Sequence, residues 1–173
     1  KRRYMHMHVI RLACAVNMHV VASMSDDMKA APCSAESATD LWVSLARAQQ
    51  RVLAAMERDL KAAGLPQLSW YDVLWELDRA TDGRLRPFEI EECTLLTQYN
   101  LSRLIDRLEK EGLVRREVFD QDNRGRWVVI TQAGRDTRAR MWEVYKRSIR
   151  QHLGGRFSDQ EAQLLTGLLK RLA

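Results

Sequence analysis

Five closely spaced side chains have the chemistry needed to contact the edges of base pairs. Gln98 and Asn100 carry amides, Ser102 carries a hydroxyl, and Arg103 and Arg107 carry guanidinium groups. In a major groove, amides pair well with adenine and guanidinium groups with guanine, while a hydroxyl suits several bases. An exposed arginine on a helix can also be a solvated charge or form a surface ion pair. Base recognition therefore requires one structural element that presents these side chains together.

The same residues lie in a segment with helical periodicity. Thr97 is a residue type preferred as an N-cap, and Gly112 is a type that follows a helix end. We therefore expect a helix over about 98–111 that exposes the polar residues and buries one apolar face. That face consists of Leu101, Leu104, Ile105 and Leu108.

A charged hairpin is expected directly after this helix. The residue pattern predicts strands at about 113–119 and 126–130. Arg124 and Arg126 are then expected at the hairpin tip, where a cation can reach a phosphate or a narrow minor groove. A polar-faced helix followed by such a hairpin is the pattern of a winged helix-turn-helix.

Further elements are predicted on both sides of this unit. Long helices are expected over about 39–63 and 132–153, a short strand over 83–86, and a last helix over about 158–172. Pro87 suits the first turn of the helix before the polar-faced one. The fold class is therefore mainly α with a small antiparallel β-wing. Two residue pairs have the spacing of a capping box: Ser69 with Asp72, and Ser158 with Glu161.

The composition of the chain is that of a globular protein with an anionic partner. Its 173 residues are 46% hydrophobic and 29% charged, with a formal net charge of +5. The basic excess is concentrated in 84–126 and 135–150, which favours a polyanion such as DNA. Cys14, Cys33 and Cys93 form no CxxC pair, so a reducing cytoplasm fits better than a disulfide framework.

Residues 1–37 are expected to form an N-terminal extension that ends in a linker over about 25–37. Its basic start and apolar middle superficially resemble a signal peptide. However, Arg11, Asn17 and His19 interrupt the apolar run, which is also too short and polar to span a bilayer. A partly helical extension that packs on a partner subunit is therefore preferred to secretion, and no membrane association is predicted.

The long flanking helices carry apolar stripes that the winged-helix lobe cannot cover by itself. In the first of them the stripe steps from Leu41 and Leu45 to Leu60. Pairing these helices across a two-fold axis would remove their apolar surface from water. The same pairing would place two DNA-reading helices about one turn of duplex, ~34 Å, apart. The sequence thus predicts a homodimer on a pseudo-palindromic site in double-stranded DNA.

In order and spacing, these segments resemble the MarR (multiple antibiotic resistance regulator) family of transcription factors. The resemblance starts at about Thr39 and extends to the C-terminus. It implies a MarR-type domain over 38–173, with a winged helix at about 69–131 and dimerisation helices at about 39–63 and 132–172. It also implies a homodimer that binds operator DNA, usually represses, and often responds to a small ligand or an oxidant. The matching phrases are LSWYDVLWELDRATDGRLRPFEI, LSRLIDRLEKEGLVRRE and DQDNRGRWVVITQAGR.

The resemblance also implies which residues contact DNA. Arg124 matches the wing arginine, and Asp122 looks like the acid that orients it. Small Ser or Thr residues are common in the family where Tyr99 and Asn100 stand here, so base preference does not transfer. The implied helix contacts are Gln98, Tyr99, Asn100, Ser102 and Arg103, and Thr97, Arg107 and Arg126 complete the set of candidate DNA-binding residues.

A small-molecule effector is expected from the aromatic residues. In the family, the crevice between the dimerisation lobe and the DNA-binding lobe often holds aromatic or phenolic ligands. Trp70, Tyr71 and Trp75 are the candidate rings here, and Arg47 is the candidate cation for an aromatic carboxylate. Ordinary core packing is the competing interpretation for each ring.

Two other functions remain open at this stage. A thiol at Cys93 or Cys33 could sense oxidants in place of a ligand, although a thiol on an apolar face is usually inert. A winged helix could also be a protein-interaction or architectural module, although the polar side chains of the central helix argue against an apolar docking patch. Enzymatic motifs such as GxSxG, HExxH and the P-loop are missing, and no catalytic residue, metal or cofactor is predicted.

Overall fold

The computed structural model describes residues 32–94, 96–119 and 122–172, with the backbone alone described for 119 and 122–125. In these residues the chain forms six α-helices and three β-strands. They are α1 (Ala35–Ala62), α2 (Leu68–Arg79), β1 (Arg84–Leu85), α3 (Pro87–Cys93), α4 (Gln98–Lys110), β2 (Val114–Phe119), β3 (Asp122–Ile130), α5 (Gln132–Ile149) and α6 (Asp159–Leu169). Short turns of 3-10 or π type follow α2, α5 and α6 at Thr81–Gly83, Arg150–Gly154 and Lys170–Leu172.

The three strands form a small antiparallel sheet in the order β1-β3-β2. Strands β2 and β3 make a hairpin, and β1 adds its two residues to the other edge of β3. The mainly helical architecture with a small antiparallel wing confirms the predicted fold class. The same applies to the short strand before α3, where Pro87 occupies the first turn.

The winged-helix lobe has a closed hydrophobic core. Helices α2, α3 and α4 contribute one side of it and the sheet contributes the other. Leu74, Leu77, Ile90 and Leu108 are completely buried in this core. Every apolar position predicted for the central helix is buried, since Leu101, Leu104, Ile105 and Leu108 all belong to the same cluster.

A second core joins α1, α2 and α5. Met56 and Leu60 from α1 pack with Tyr71 from α2 and with Met141 and Tyr145 from α5. Only the C-terminal half of α1 takes part, because the buried residues of that helix are Ala55, Met56 and Leu60. The second core therefore fixes the long helices to the winged-helix lobe and leaves the N-terminal half of α1 uncovered.

Two helix starts differ from the sequence prediction. Helix α1 begins at Ala35 rather than near 39, because the Ser34 hydroxyl accepts a hydrogen bond from the Ser37 amide at 3.2 Å; part of the predicted linker is therefore helical. Helix α2 begins at Leu68, and the predicted cap at Ser69 is wrong. The acceptor comes from another helix, since the Leu68 amide donates to Glu57 Oε1 at 2.9 Å.

The wing hairpin is also longer than predicted. Strand β3 starts at Asp122, so Arg124 and Arg126 belong to the strand rather than to the tip. Arg126 pairs with Val118 of β2 in the ladder, which is irregular only between Val118 and Phe119. Strand pairing across the hairpin extends the strand through the charged segment that looked like a turn.

The C-terminal part of the chain forms two helices with a break between them. Helix α5 closes in a π turn at Arg150–Gly154, and α6 starts after Ser158. The predicted capping box is confirmed, because Ser158 Oγ accepts from the Glu161 amide and Glu161 accepts from the Ser158 amide at 2.8 Å. Helix α6 has no buried residue and exposes four leucines, Leu164, Leu165, Leu168 and Leu169.

Within the described ranges, no helix is both long and apolar enough to cross a membrane. The same residues contain no group of three or more His, Cys, Asp or Glu side chains that could hold a metal ion. The histidines of the N-terminal extension lie outside the described residues.

Candidate nucleic-acid interface

Helix α4 presents the polar residues because its ends and its apolar face are fixed independently. The Thr97 hydroxyl accepts a hydrogen bond from the Asn100 amide at 3.5 Å, as its predicted role as N-cap requires. At the other end Gly112 has a φ of 69°, a left-handed conformation that glycine adopts without strain. With the leucines buried, the opposite faces of α4 point to solvent.

The structure brings the predicted helix contacts together on this exposed surface. Tyr99 is 65% exposed, and the polar residues around it are also exposed. A helix surface that carries amide, hydroxyl and guanidinium groups in its first turns has the donors and acceptors that base edges require. The exposed set contains Gln98, Tyr99, Asn100, Ser102, Arg103 and Arg107.

The two arginines of this surface differ in their contacts. The Arg103 guanidinium carbon lies 4.9 Å from the centroid of the Tyr99 ring. For Arg107, the sequence left open an ion pair with Asp106 or Glu111, and no such pair forms among the described residues. Asp106 instead pairs with Arg116. Both arginines therefore keep their donors available for a ligand outside the chain.

Arg116 fixes α4 to the wing. Its guanidinium reaches Asp106 Oδ1 at 2.5 Å and also pairs with Glu109, both on α4. Its backbone amide donates to Glu109 Oε1 at 3.1 Å. Because Arg116 belongs to β2, these bonds hold the polar helix and the hairpin at a set angle. No residue pattern in the sequence predicts this network, since its partners lie on the preceding helix, seven and ten residues away.

Among the predicted wing residues, the structure describes the side chain of Arg126 but only the backbone of Asp122 and Arg124. Asp122 and Arg124 lie on β3, but their side chains are outside the described part of the structure. The Arg126 side chain is exposed and faces solvent from the ladder position opposite Val118. Arg126 is thus placed where a cation can approach a phosphate, while the roles of Asp122 and Arg124 remain predictions.

Sequence reasoning missed a pair of arginines at the base of the wing. Arg84 and Arg86 each place the guanidinium carbon 5.1 Å from the centroid of the Trp127 ring. The register explains this arrangement, because Arg84 lies opposite Val129 and the alternate residues of both strands share one face. The alternation of basic and apolar residues in the segment GRLR was the available signal. These cations add positive charge to the same lobe as α4.

The candidate ligand-binding rings form a stacked cluster in the second core. Tyr71 lies 6.0 Å from Trp75 and 6.1 Å from Trp142 between ring centroids, stacked on both, and meets Tyr145 edge-on at 5.4 Å. Burial raises the pKa of Tyr71 and of Tyr145 to about 12. Both phenols therefore keep their protons near neutral pH, and the cluster packs as neutral rings.

A cation that the sequence did not suggest lies beside these rings. The Arg138 guanidinium carbon is 5.5 Å from the Trp75 ring centroid, whereas Arg47 is exposed on α1. Arg138 is held by Asp78, with Nε and Oδ2 2.9 Å apart. Trp70 is half-buried and packs against both cores. The structure therefore places Arg138, with Trp75, at the junction of the two lobes.

The two described cysteines differ in solvent exposure. Cys33 is exposed, while Cys93 is half-buried at the end of α3. Burial, with smaller contributions from nearby carboxylates such as Glu76, raises the pKa of the Cys93 thiol. A raised pKa lowers the fraction of thiolate, which is the reactive form. The environment of Cys93 is that of a packing residue.

Several comparisons with known proteins agree with this geometry. Residues 63–125, which include α2, α3, α4 and most of the hairpin, match the sequence model of the MarR family. A helix-turn-helix-type transcriptional regulator of Bacillus subtilis strain 168, YwaE, is 26% identical over 138 residues, which is 79% of this chain and 78% of that protein.

Solved structures resemble the chain over most of its length. The structure of AbsC, a MarR family transcriptional regulator from Streptomyces coelicolor, matches with 25% identity and a TM-score of 0.71, covering 82% of this chain and 95% of that one. Sco3205, a MarR family regulator from the same organism, was solved in complex with DNA. It matches with 23% identity and a TM-score of 0.73, covering 84% of this chain and 91% of its own.

Proposed function

We propose that the chain is a MarR-family winged-helix transcriptional regulator, as the match of residues 63–125 to the family's sequence model supports, and that it binds operator DNA as a homodimer and represses transcription. One observation carries the DNA-binding part of this proposal. The first turns of α4 expose Gln98, Asn100 and Arg103 together on a helix that Arg116 fixes to the wing. A helix of this kind fits the major groove, and a basic hairpin beside it fits the flanking backbone.

Electrostatics favours the same assignment. Arg103, Arg107 and Arg126 are exposed on one lobe, and Arg84 and Arg86 lie beside Trp127 at the base of the wing. Cations that face a duplex displace its condensed counterions on binding. We therefore expect affinity that falls steeply with salt, in addition to preference for one sequence.

The homodimer is supported by apolar surface that the single chain leaves uncovered. Leu41 and Trp42 on α1 are 56% and 68% exposed. Helix α6 adds an exposed leucine face that includes Leu164 and Leu168. Exposed large apolar side chains in this number are typical of an interface rather than of a monomer's free surface. Two-fold pairing of the terminal helices would cover it and would set the distance between two α4 helices.

An effector is proposed to act at the junction of the two lobes. Trp75 and Trp142 are half-buried there, and Arg138 lies against Trp75. Aromatic surface with a cation suits an aromatic carboxylate. A ligand that prefers one spacing of the α4 helices would weaken operator binding by its difference in affinity for the two spacings.

The DNA-binding proposal is tested by selecting duplexes from a random-sequence library with the full chain. We expect a pseudo-palindromic motif that is bound about 10³-fold or more tightly than unrelated duplex at physiological salt. Arg103→Ala should weaken this binding, whereas Arg156→Ala, an exposed arginine outside the winged-helix lobe, should not. Equal affinity for the selected and unrelated duplexes would remove the proposal.

Regulation and its effector need separate tests. A reporter gene placed behind the selected motif should be less active when the chain is present, which identifies a repressor. A thermal-shift screen of aromatic acids should then find a compound that raises Tm and weakens duplex binding. Trp75→Leu should remove that response, and an unchanged response would place the effector site elsewhere.

A further inference from the structure

Tyr99 has an exposed ring that the fold does not use. It stands in the first turn of α4, and 65% of its surface is open to solvent. The core of the winged-helix lobe is built from other residues, so Tyr99 is not part of it. Exposed aromatic surface on a helix adds little to folding. The contact that Tyr99 does make is with Arg103.

Arg103 lies one helical turn after Tyr99, with its guanidinium carbon 4.9 Å from the ring centroid. Residues four apart share a helix face, and a cation within about 6 Å of a ring centroid is attracted by the ring. The nearest acid on the C-terminal side of this face, Asp106, is engaged by Arg116 at 2.5 Å. Among the described residues, the Arg103 side chain contacts the Tyr99 ring and forms no ion pair.

Contact with a ring restrains the arginine without consuming its hydrogen-bond donors. The ring provides no strong acceptor, so the five N–H groups of the guanidinium stay available. A long side chain that is already restrained loses less conformational entropy when it binds. Arg103 is thus prepared for a bidentate contact, which in a major groove means the O6 and N7 atoms of guanine.

The Tyr99 ring also has a surface left for the base pair beside that guanine. Arg103 lies over the ring, and 65% of the Tyr99 surface stays exposed to solvent. An apolar side chain in the major groove distinguishes thymine by its C5 methyl group. We propose that Tyr99 and Arg103 act as one unit that reads a guanine flanked by thymine. This inference rests on the proposed operator binding and specifies what it recognises.

The unit differs from a phosphate contact in a measurable way. A phosphate accepts either a lysine or an arginine, whereas the two acceptors of guanine match the planar fork of arginine. The loss of a phosphate contact weakens binding to all sequences alike. Loss of the reading unit should instead reduce the preference for one base while leaving binding to unrelated duplex unchanged.

The experiment uses the full chain and a duplex that it selects from a random-sequence library. Each guanine is replaced in turn by 7-deazaguanine, which lacks the N7 acceptor, and each thymine by deoxyuridine, which lacks the methyl group. Affinities are measured for the wild type, Arg103→Lys, Tyr99→Leu and Tyr99→Phe. Arg156→Lys is the matched control, because Arg156 is exposed and outside the winged-helix lobe. Circular dichroism and thermal unfolding check that each variant keeps the helix content and stability of the wild type.

We expect 7-deazaguanine at one position of each half-site to weaken the wild type roughly 5- to 150-fold, the range for one bidentate arginine–base contact. The affinity of Arg103→Lys should not change with that replacement. For Tyr99→Leu, 7-deazaguanine should lower the affinity less than for the wild type, and deoxyuridine at the neighbouring thymine should not lower it. Tyr99→Phe and Arg156→Lys should behave as the wild type.

Two different failures are distinguishable. In the first, the wild type and Arg103→Lys respond equally to 7-deazaguanine at every guanine of the selected motif. That result would overturn the joint role of Tyr99 and Arg103 and leave operator binding intact. The unit is equally contradicted if Tyr99→Leu keeps every sensitivity of the wild type. A library that yields no enriched sequence would overturn operator binding itself, and the reading unit with it.

Discussion

The winged-helix lobe and the terminal helices bury their apolar residues to very different extents. In the lobe, α2, α3, α4 and the sheet enclose a core in which Leu74, Leu77 and Leu108 have no exposed surface. In α6 no residue is buried and Leu164 is 66% exposed, and in the turn after it Leu172 is 69% exposed. One region buries its apolar residues within a single copy of the chain, and the other leaves them exposed.

The two regions therefore suit two different tasks, presenting α4 and pairing with a second copy. The closed core holds α4 rigidly, which a surface that reads base edges requires. The open helices provide the means to set the distance to a second α4, if a second copy covers them. Stability of the lobe should therefore be independent of protein concentration, while the terminal helices should depend on it.

Truncation inside the closed core should have the largest effect. Leu108→Ala removes a completely buried side chain between α4 and the sheet, so we expect a loss of ~2–5 kcal/mol in the free energy of unfolding. Urea unfolding followed by circular dichroism measures it. The loss should be the same at every protein concentration, and a loss that disappears at high concentration would mean that the core is closed by a partner instead.

Gly134 tests how closely the two regions are joined. A Cβ atom at this position would lie 2.2 Å from the Leu113 carbonyl oxygen and 2.9 Å from Ile130 Cγ1. Because α5 starts here, Gly134→Ala should push the helix away from the wing and cost ~1–3 kcal/mol. Gly167→Ala is the matched control, since a Cβ atom there meets nothing within 4 Å. Equal thermal stability of the two variants would contradict the close packing.

Charge on the open face should separate the copies and leave the lobe folded. Leu164→Asp with Leu168→Asp places two carboxylates on exposed positions of α6, so neither disturbs a buried core of the single chain. Sedimentation should change from dimer to monomer, with the dissociation constant raised by about tenfold or more, equivalent to ~1.4 kcal/mol. A dimer that persists unchanged would show that α6 is not part of the interface.

The smallest effect is expected at the contact between α1 and α5. Hydrogen bonds from Ser148 and His152 lower the pKa of Asp59, and the Asp59 and Ser148 side chains are 2.6 Å apart. A lowered pKa means that Asp59 stabilises the fold above its ordinary pKa, near 3.8, and that this contribution is lost as pH falls through the lower folded value.

Asp59→Asn measures that contribution directly. The wild type should be more stable than the variant near neutral pH, and the difference should decrease when the pH falls below about 4. Thermal unfolding of both proteins over this range provides the measurement. A difference that is independent of pH would show that ionisation of Asp59 does not stabilise the contact.

The parts of the fold that depend on local signals were predictable. Helix α4 was expected over about 98–111 and is observed at Gln98–Lys110, because its leucine spacing, the Thr97 cap and Gly112 are all adjacent in sequence. The capping box at Ser158 was confirmed for the same reason. The exposed polar surface of α4 followed from the periodicity once the buried face was known.

The features that depend on remote partners were not predictable. The cap of α2 comes from Glu57 on another helix, so Ser69 was chosen wrongly. The wing tip was misplaced because strand pairing, and not residue type, extends β3 to Asp122. Arg138 was missed as the cation at the aromatic cluster because its partner Asp78 lies far away in sequence. Each miss is a tertiary contact that no local pattern records.

In the proposed complex, two copies of the chain hold two α4 helices at a distance that matches one turn of duplex. The direct test moves the two halves of the selected motif apart by inserted base pairs and measures affinity for the full chain. Inserting about five base pairs should abolish high-affinity binding, because one half-site then faces the opposite side of the duplex, whereas restoring the original spacing restores it. Affinity that is indifferent to the spacing, with one chain bound per duplex, would contradict the account.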